Sequence, residues 1–181
     1  MRIESTLDGL RAAGNLRSIP TGTPAGVVDL SSNDYLGLGA DRSLREEFFG
    51  MYDPADLAMT SSASRLLAGR QEAYSSLERT LAESYGHGRA ALLFNSGYHA
   101  NTGIVGALAD KSTLIVADKL IHASVIDGIR LSGAPFERFR HNDYDHLRRI
   151  LEGKAREYAS VLIIAESVYS MDGDRADIDR L

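Results

Sequence analysis

The sequence predicts an α/β fold in three layers: a mostly parallel sheet with helices on both faces. Three observations predict it. From residue 71 onward, stretches with helical spacing of apolar residues alternate with short apolar runs. Those runs are continuous and rich in Leu, Ile and Val, the pattern of strands covered from both sides. Polar residues able to do chemistry follow three of the runs directly, at the strand ends where ligands collect in open α/β sheets.

The elements come in order. Ile3, Leu7, Leu10 and Ala13 fall at helical spacing, so the first dozen or so residues read as an amphipathic helix, an arm, ending near Gly14. Residues 19–26 hold two prolines and two glycines among small polar residues and read as a loop, and residues 27–30 as a short strand. Helices are then expected at 72–85, 98–108, 123–131 and 144–151, with strands at 90–94, 113–117, 136–139 and 161–165. The chain divides accordingly into residues 1–38, the helical arm and first strand, and residues 39–181, the first part of a larger α/β domain. It shows no internal repeat and no low-complexity tract.

Composition excludes several classes of function. With 44% hydrophobic and 25% charged residues over 181 positions, the chain is globular and long enough to bury a sizeable core. The net charge of -5 comes with scattered Arg and Lys, so no basic stripe recommends nucleic acid or an anionic membrane. The absence of cysteine removes disulfides, thiolate zinc sites and cysteine nucleophiles together. Arg2, Glu4, Asp8 and Arg11 interrupt the N-terminal apolar residues, which is unlike a signal peptide or membrane span, and a cytoplasmic location is expected.

Five segments offer chemistry, each beside an ordinary explanation. Asn95-Ser96-Gly97-Tyr98 turns from an expected strand into a helix. Free backbone N–H groups and the positive end of the helix dipole would suit a phosphate there, with Gly97 allowing close approach and Ser96 adding a hydroxyl. The same residues also make a common N-cap. His122, past the strand at 113–117, could stack on a flat cofactor or move protons, or could merely begin a helix. Glu166, Tyr169, Ser170, Asp172 and Asp174 follow the last strand, with residues 171–174 reading as a tight acidic turn. Their spacing is not that of an EF-hand, the remaining histidines show no ligand spacing, and no metal is expected. Residues 33–38 could be a turn and nothing more, and Arg65 in the small-residue loop 64–69 a surface arginine. Neither G-x-G-x-x-G after a strand nor G-x-x-x-x-G-K-[ST] occurs, so dinucleotide and P-loop binding lack support.

Order and spacing add what single fragments lack. Ser31-Ser32-Asn33-Asp34-Tyr35-Leu36-Gly37-Leu38 is followed by Ser64-Arg65-Leu66-x-x-Gly69, Leu77-Glu78 and Ser96-Gly97-Tyr98-x-Ala100-Asn101. His122-Ala123-Ser124 and Glu166-Ser167-Val168-Tyr169-Ser170-Met171-Asp172-Gly173-Asp174 complete the series. This series resembles the α-oxoamine synthases, and its opening segment is most similar to the biotin-pathway members. The resemblance implies a pyridoxal 5′-phosphate (PLP) enzyme of fold type I, with residues 39–181 as the first part of its PLP-binding large domain. It implies a homodimer with active sites between subunits, while charge and the N-terminal residues carry the expectation of a cytoplasmic chain with no nucleic-acid or membrane partner.

By that resemblance Ser96, Gly97 and Tyr98 would carry the cofactor phosphate, His122 would stack on the pyridine ring, and Ser170 would bond near the ring hydroxyl. Glu166 would organise the substrate side and, with His122, form the catalytic pair on this chain. Asn33 would approach the amino-acid carboxylate, and the Ser64 loop would reach toward the neighbouring subunit's site. The implied reaction joins L-alanine to a pimeloyl thioester, of coenzyme A or a carrier protein, and releases carbon dioxide to give 8-amino-7-oxononanoate. Family relatives using glycine or serine with other acyl-CoA substrates are the alternative, as is a noncatalytic fragment that keeps the fold. The family's Schiff-base lysine, its pyridine-facing aspartate and its Asp-x-x-His motif are expected beyond Leu181, so these 181 residues alone should not turn over. Two positions depart from the common pattern: Tyr74 replaces a histidine before Leu-Glu, and Tyr98-His99 replaces an aromatic-Ala pair.

Overall fold

A computed structural model describes the chain except for residues 1, 20, 23–25, 29, 57–59 and 69–71. The chain packs as two compact units, Met1–Ser62 and Ala63–Leu181.

In the first unit the expected arm forms helix α1, Arg2–Ala12. It stops for a backbone reason. Gly14 takes φ +67°, and the Asn15 and Gly14 N–H groups donate to the Leu10 and Arg11 carbonyls at 2.9 and 3.1 Å, the paired bonds of a Schellman motif. The strand expected at 27–30 is not found: Val27, Val28 and Leu30 enter no ladder, and Asp29 lies outside the described residues. All three side chains are exposed, and an apolar run without a neighbouring strand has nothing to pair with. The 33–38 segment is a turn, closed by the Gly37 N–H on the Asp34 carbonyl at 3.1 Å. A second helix, α2, Arg42–Met51, starts at Asp41, whose carboxylate accepts from the Ser43 and Leu44 N–H groups.

In the second unit a short helix α3, Arg65–Ala68, and helix α4, Glu72–Ser84, precede the α/β core. The core runs α5 (Gly97–Leu108), β1 (Thr113–Asp118), α6 (Ala123–Ser132), β2 (Phe136–Phe139), α7 (Tyr144–Lys154) and β3 (Ser160–Ile164). Its sheet has the order β2-β1-β3, and both pairings are parallel, with Ile115 opposite Phe136 and Leu162.

Strand alternation sorts the core into two apolar layers. Ile115 and Ala117 of β1, with Leu162 and Ile164 of β3, pack on Val105 of α5 and on Val125 and Ile129 of α6. Leu114 and Val116, with Ile163, pack on Tyr144 and Leu147 of α7. β1 lies between both layers, and all six of its residues are buried, which is why it reads as a continuous apolar run. Helices α5 and α6 meet closely at Gly128, where an added Cβ would lie 3.0 Å from both the Asn101 carbonyl oxygen and Thr102 Cα.

The strand expected at 90–94 is a correction. This segment pairs with none of the three strands, and Leu92 and Phe94 are exposed. Strand character requires a ladder, and here the Leu93 N–H goes instead to a side chain, the Glu78 carboxylate, at 2.9 Å.

Candidate functional site

A cavity of about 600 Å³ opens where the start of α5, the start of α6 and the carboxyl end of β3 meet. Gly97, Tyr98, His122, Glu166 and Ser170 line it, above a floor that includes Val105, Leu162 and Ile164.

Each polar group is there for a local reason. Ser96 caps α5, its hydroxyl accepting the His99 N–H at 3.2 Å, while the first N–H groups of the helix have no intrahelical acceptor. Nothing stands within 4 Å of the position a Cβ on Gly97 would take. Tyr98 donates its hydroxyl to Asp127 on α6 at 3.0 Å, and that carboxylate raises the phenol's pKa.

His122 caps α6. Its Nδ1 accepts the Ser124 N–H at 3.1 Å and lies 2.6 Å from the Ser124 hydroxyl, which itself accepts from Asn101 Nδ2 at 2.9 Å. Donation into Nδ1 assigns the ring proton to Nε2. The His122 backbone N–H donates to the Glu166 carboxylate, so the residue leaving β3 holds the start of α6. Glu166 in turn donates its own N–H to the Tyr169 hydroxyl at 3.3 Å. Ser170 sits on the following turn, closed by the Gly173 N–H on the Tyr169 carbonyl at 2.8 Å with Gly173 at φ +72°.

Five of the expected site residues therefore share one cavity, and Ser96 caps the helix that opens it. Asn33 belongs to the first unit, exposed on its turn. Ser64 does not line the cavity: it is exposed, and its carbonyl accepts the Leu67 N–H at 3.0 Å at the start of α3. Gly69 of the same motif lies outside the described residues. Arg65 is no ordinary surface arginine. Its guanidinium makes two parallel bonds of 2.8 Å to Glu78 and lies 4.7 Å from the centroid of the Tyr74 ring, so two separate motif fragments are one contact.

A cluster that sequence reasoning passed over lies at the ends of β1 and β2. Asp118, fully buried, accepts from the Leu120 and Asn142 N–H groups at 2.8 and 2.9 Å and from His141 Nδ1 at 2.9 Å. Burial opposes its charge, but these three donors prevail and lower its pKa. His141 Nε2 bonds Asp174 at 2.8 Å, and the Tyr169 ring meets the imidazole edge-on at 4.5 Å between centroids. Burial also opposes the charge of His141, yet the two carboxylates outweigh it and raise its pKa. Tyr169, almost wholly buried, has its phenol pushed up to about 12, first by burial. Part of the signal was available: Asp118 closes the apolar run at 113–117, and Asp174 lies in the acidic turn at 171–174, whereas nothing in the sequence singled out His141. Asp172 stands near enough to His141 and Asp174 for a metal-like grouping, but both imidazole nitrogens already bond carboxylates.

The profile of the aminotransferase class I and II family matches residues 25–181. The chain belongs to this family. A relative from Pasteurella multocida (strain Pm70), provisionally named an 8-amino-7-oxononanoate synthase, is 55% identical over 155 residues, which is 86% of this chain and 40% of the relative. The structure of 8-amino-7-oxononanoate synthase from Francisella tularensis aligns with a TM-score of 0.67 at 29% identity, over 87% of this chain and 42% of that one. Serine palmitoyltransferase from S. paucimobilis, solved with a bound PLP-myriocin aldimine, aligns with a TM-score of 0.77 at 27% identity, over 98% of this chain and 48% of that one. The α-oxoamine synthase resemblance read from the motifs holds, and the chain spans less than half the length of each of these proteins.

Proposed function

We propose that this chain supplies the phosphate-binding and ring-stacking side of a PLP site in an α-oxoamine synthase. The whole enzyme would join L-alanine to a pimeloyl thioester and release carbon dioxide, giving 8-amino-7-oxononanoate for biotin synthesis. The observation that carries this reading is the cavity itself, where a helix N-terminus and an imidazole meet over an apolar floor. The residues present fit a flat phosphorylated ring: the space beside Gly97 is open, and the cavity volume of about 600 Å³ falls in the range of small-molecule sites.

Bound there, PLP supplies an electron sink for the charge left when the amino acid's Cα proton departs. The chain's own residues do the rest. The N–H groups at Ser96, Gly97 and Tyr98, with the helix dipole, hold the phosphate. His122, fixed as the Nε2–H tautomer by Ser124, stacks against the ring, and Ser170 bonds near its hydroxyl. Glu166 ties the end of β3 to the start of α6 and orders the substrate side. Asn33 contacts the amino-acid carboxylate, and the Ser64 loop faces the neighbouring site in a homodimer. Similarity to the provisionally named Pasteurella relative, at 55% identity, supports the alanine and pimeloyl assignment. The serine palmitoyltransferase alignments favour a second reading, serine with palmitoyl-CoA.

Two measurements test the reading. Titration with PLP is expected to show binding that Gly97→Val and His122→Ala each weaken tenfold or more; unchanged binding in both variants would remove the site assignment. The full-length enzyme loaded with PLP, offered each amino acid with each thioester, should release carbon dioxide with L-alanine and the pimeloyl thioester. Release only with serine and palmitoyl-CoA would move the protein to the second reading.

A further inference from the structure

The connection leaving β1 runs to α6 on one face of the sheet, and the connection leaving β2 runs to α7 on the other. Between the ends of β1 and β2 the chain packs polar groups of its own. Asp118 ends β1, His141 and Asn142 follow β2, and Asp174 arrives from the turn after β3.

We propose that His141 is a positioning residue: bridging Asp118 and Asp174, it clamps the turn after β3 onto the sheet and thereby aims Glu166 and Ser170 at the cavity. The clamp stands on geometry alone, and only its consequence for the cofactor rests on the function proposed above. Ionised carboxylates accept and cannot donate, so an imidazole placed 2.9 Å from one and 2.8 Å from the other satisfies both only with a proton on each nitrogen. Asn142 strengthens the same joint. It sits at φ +51°, in the left-handed region where asparagine is several-fold enriched among non-glycine residues. Its N–H holds Asp118 at 2.9 Å, its Nδ2 holds Asp174 at 2.8 Å, and its Oδ1 accepts the Tyr144 hydroxyl at 3.1 Å. Between these anchors, Tyr169 lies buried against the His141 ring, flanked by cavity-lining Ser170 and bonded through its hydroxyl to the Glu166 N–H. Turning this tyrosine therefore moves both neighbours.

Amide hydrogen exchange on the 181-residue chain reads the clamp directly. His141→Ala and Asp174→Ala should each speed exchange at Tyr169 and Gly173 tenfold or more while residues 114–117 of β1 stay protected. Should His141→Ala also loosen β1, Asp174→Ala decides, because Asp174 lies outside the two core clusters. The discriminating variant is a rescue. His141→Gln offers one donor end and one acceptor end, so it opposes a carboxylate at one side and should open the turn. Adding Asp174→Asn turns that side into a donor and should restore most of the protection, which a general loss of packing would not do. Unchanged exchange in Asp174→Ala, or a double variant no better than His141→Gln alone, would overturn the clamp. PLP binding, measured in parallel, should weaken in His141→Gln and recover in the double variant. Absence of PLP binding to the parent would defeat the cofactor reading, leaving the clamp to be decided by exchange.

Discussion

Glu78 shows how much one carboxylate can organise. It receives both guanidinium N–H groups of Arg65 and the backbone N–H of Leu93, and these donors, the arginine first, lower its pKa to about 2. The sign of the pH effect follows. An unfolded carboxyl titrates near 4.5, so the contribution is complete above that value and is lost as pH falls toward about 2. Glu78→Gln is accordingly expected to lower the urea midpoint at pH 7, with the difference from the parent shrinking steadily toward pH 2. A difference that stays constant across that range would show that the charge is not what matters. Arg65→Lys should reproduce much of the loss, since an ammonium cannot make the two parallel bonds or stack on Tyr74 in the same way. The tyrosine at position 74, read from the sequence as a departure, is the surface on which Arg65 lies.

Among the elements, the crossing of α5 and α6 has the tightest tolerance, and it sets one wall of the cavity. Gly128 is buried there with two backbone atoms of α5 only 3.0 Å from where a Cβ would stand. Alanine in a helix interior ordinarily gains roughly 1 kcal/mol over glycine. Forced separation of packed elements costs about 1–3 kcal/mol, so Gly128→Ala should lower stability, seen as a reduced urea midpoint, and should weaken PLP binding through the displaced start of α5. Residues 90–94 teach the complementary lesson. Their apolar run matches a buried strand, yet strand identity belongs to a pair of segments, and among the described residues no sheet strand accepts them. Helices suffered less from this ambiguity: α1, α4, α5, α6 and α7 begin within two residues of the positions their periodicity predicts, because a helix satisfies its hydrogen bonds within itself.

For the molecule as a whole, the relevant fact is apolar surface left uncovered. Leu92, Ile104, Leu108 and Leu131 of the second unit are each more than half exposed, although α5 and α6 are otherwise packed on the sheet. Exposed apolar side chains in this number favour association. Sedimentation of the purified chain should therefore show mass rising with concentration, and Ile104→Lys with Leu108→Lys should suppress it; a monomer at every concentration would contradict this. No helix among the described residues is long and apolar enough to cross a membrane.

The sequence by itself determined the three-layer α/β class, the parallel strands at 113–117, 136–139 and 161–165, and the gathering of Gly97, Tyr98, His122, Glu166 and Ser170 on one rim, although the segment before Gly97 is not the strand expected there. Periodicity and strand-end position are local properties, and local properties can be read along a chain. Tertiary structure alone decided which distant groups meet: Arg65 with Glu78, Tyr98 with Asp127, and His141 between Asp118 and Asp174. Those contacts join residues from 13 to 33 positions apart, and the folded backbone, not spacing in the sequence, brings them within hydrogen-bond reach.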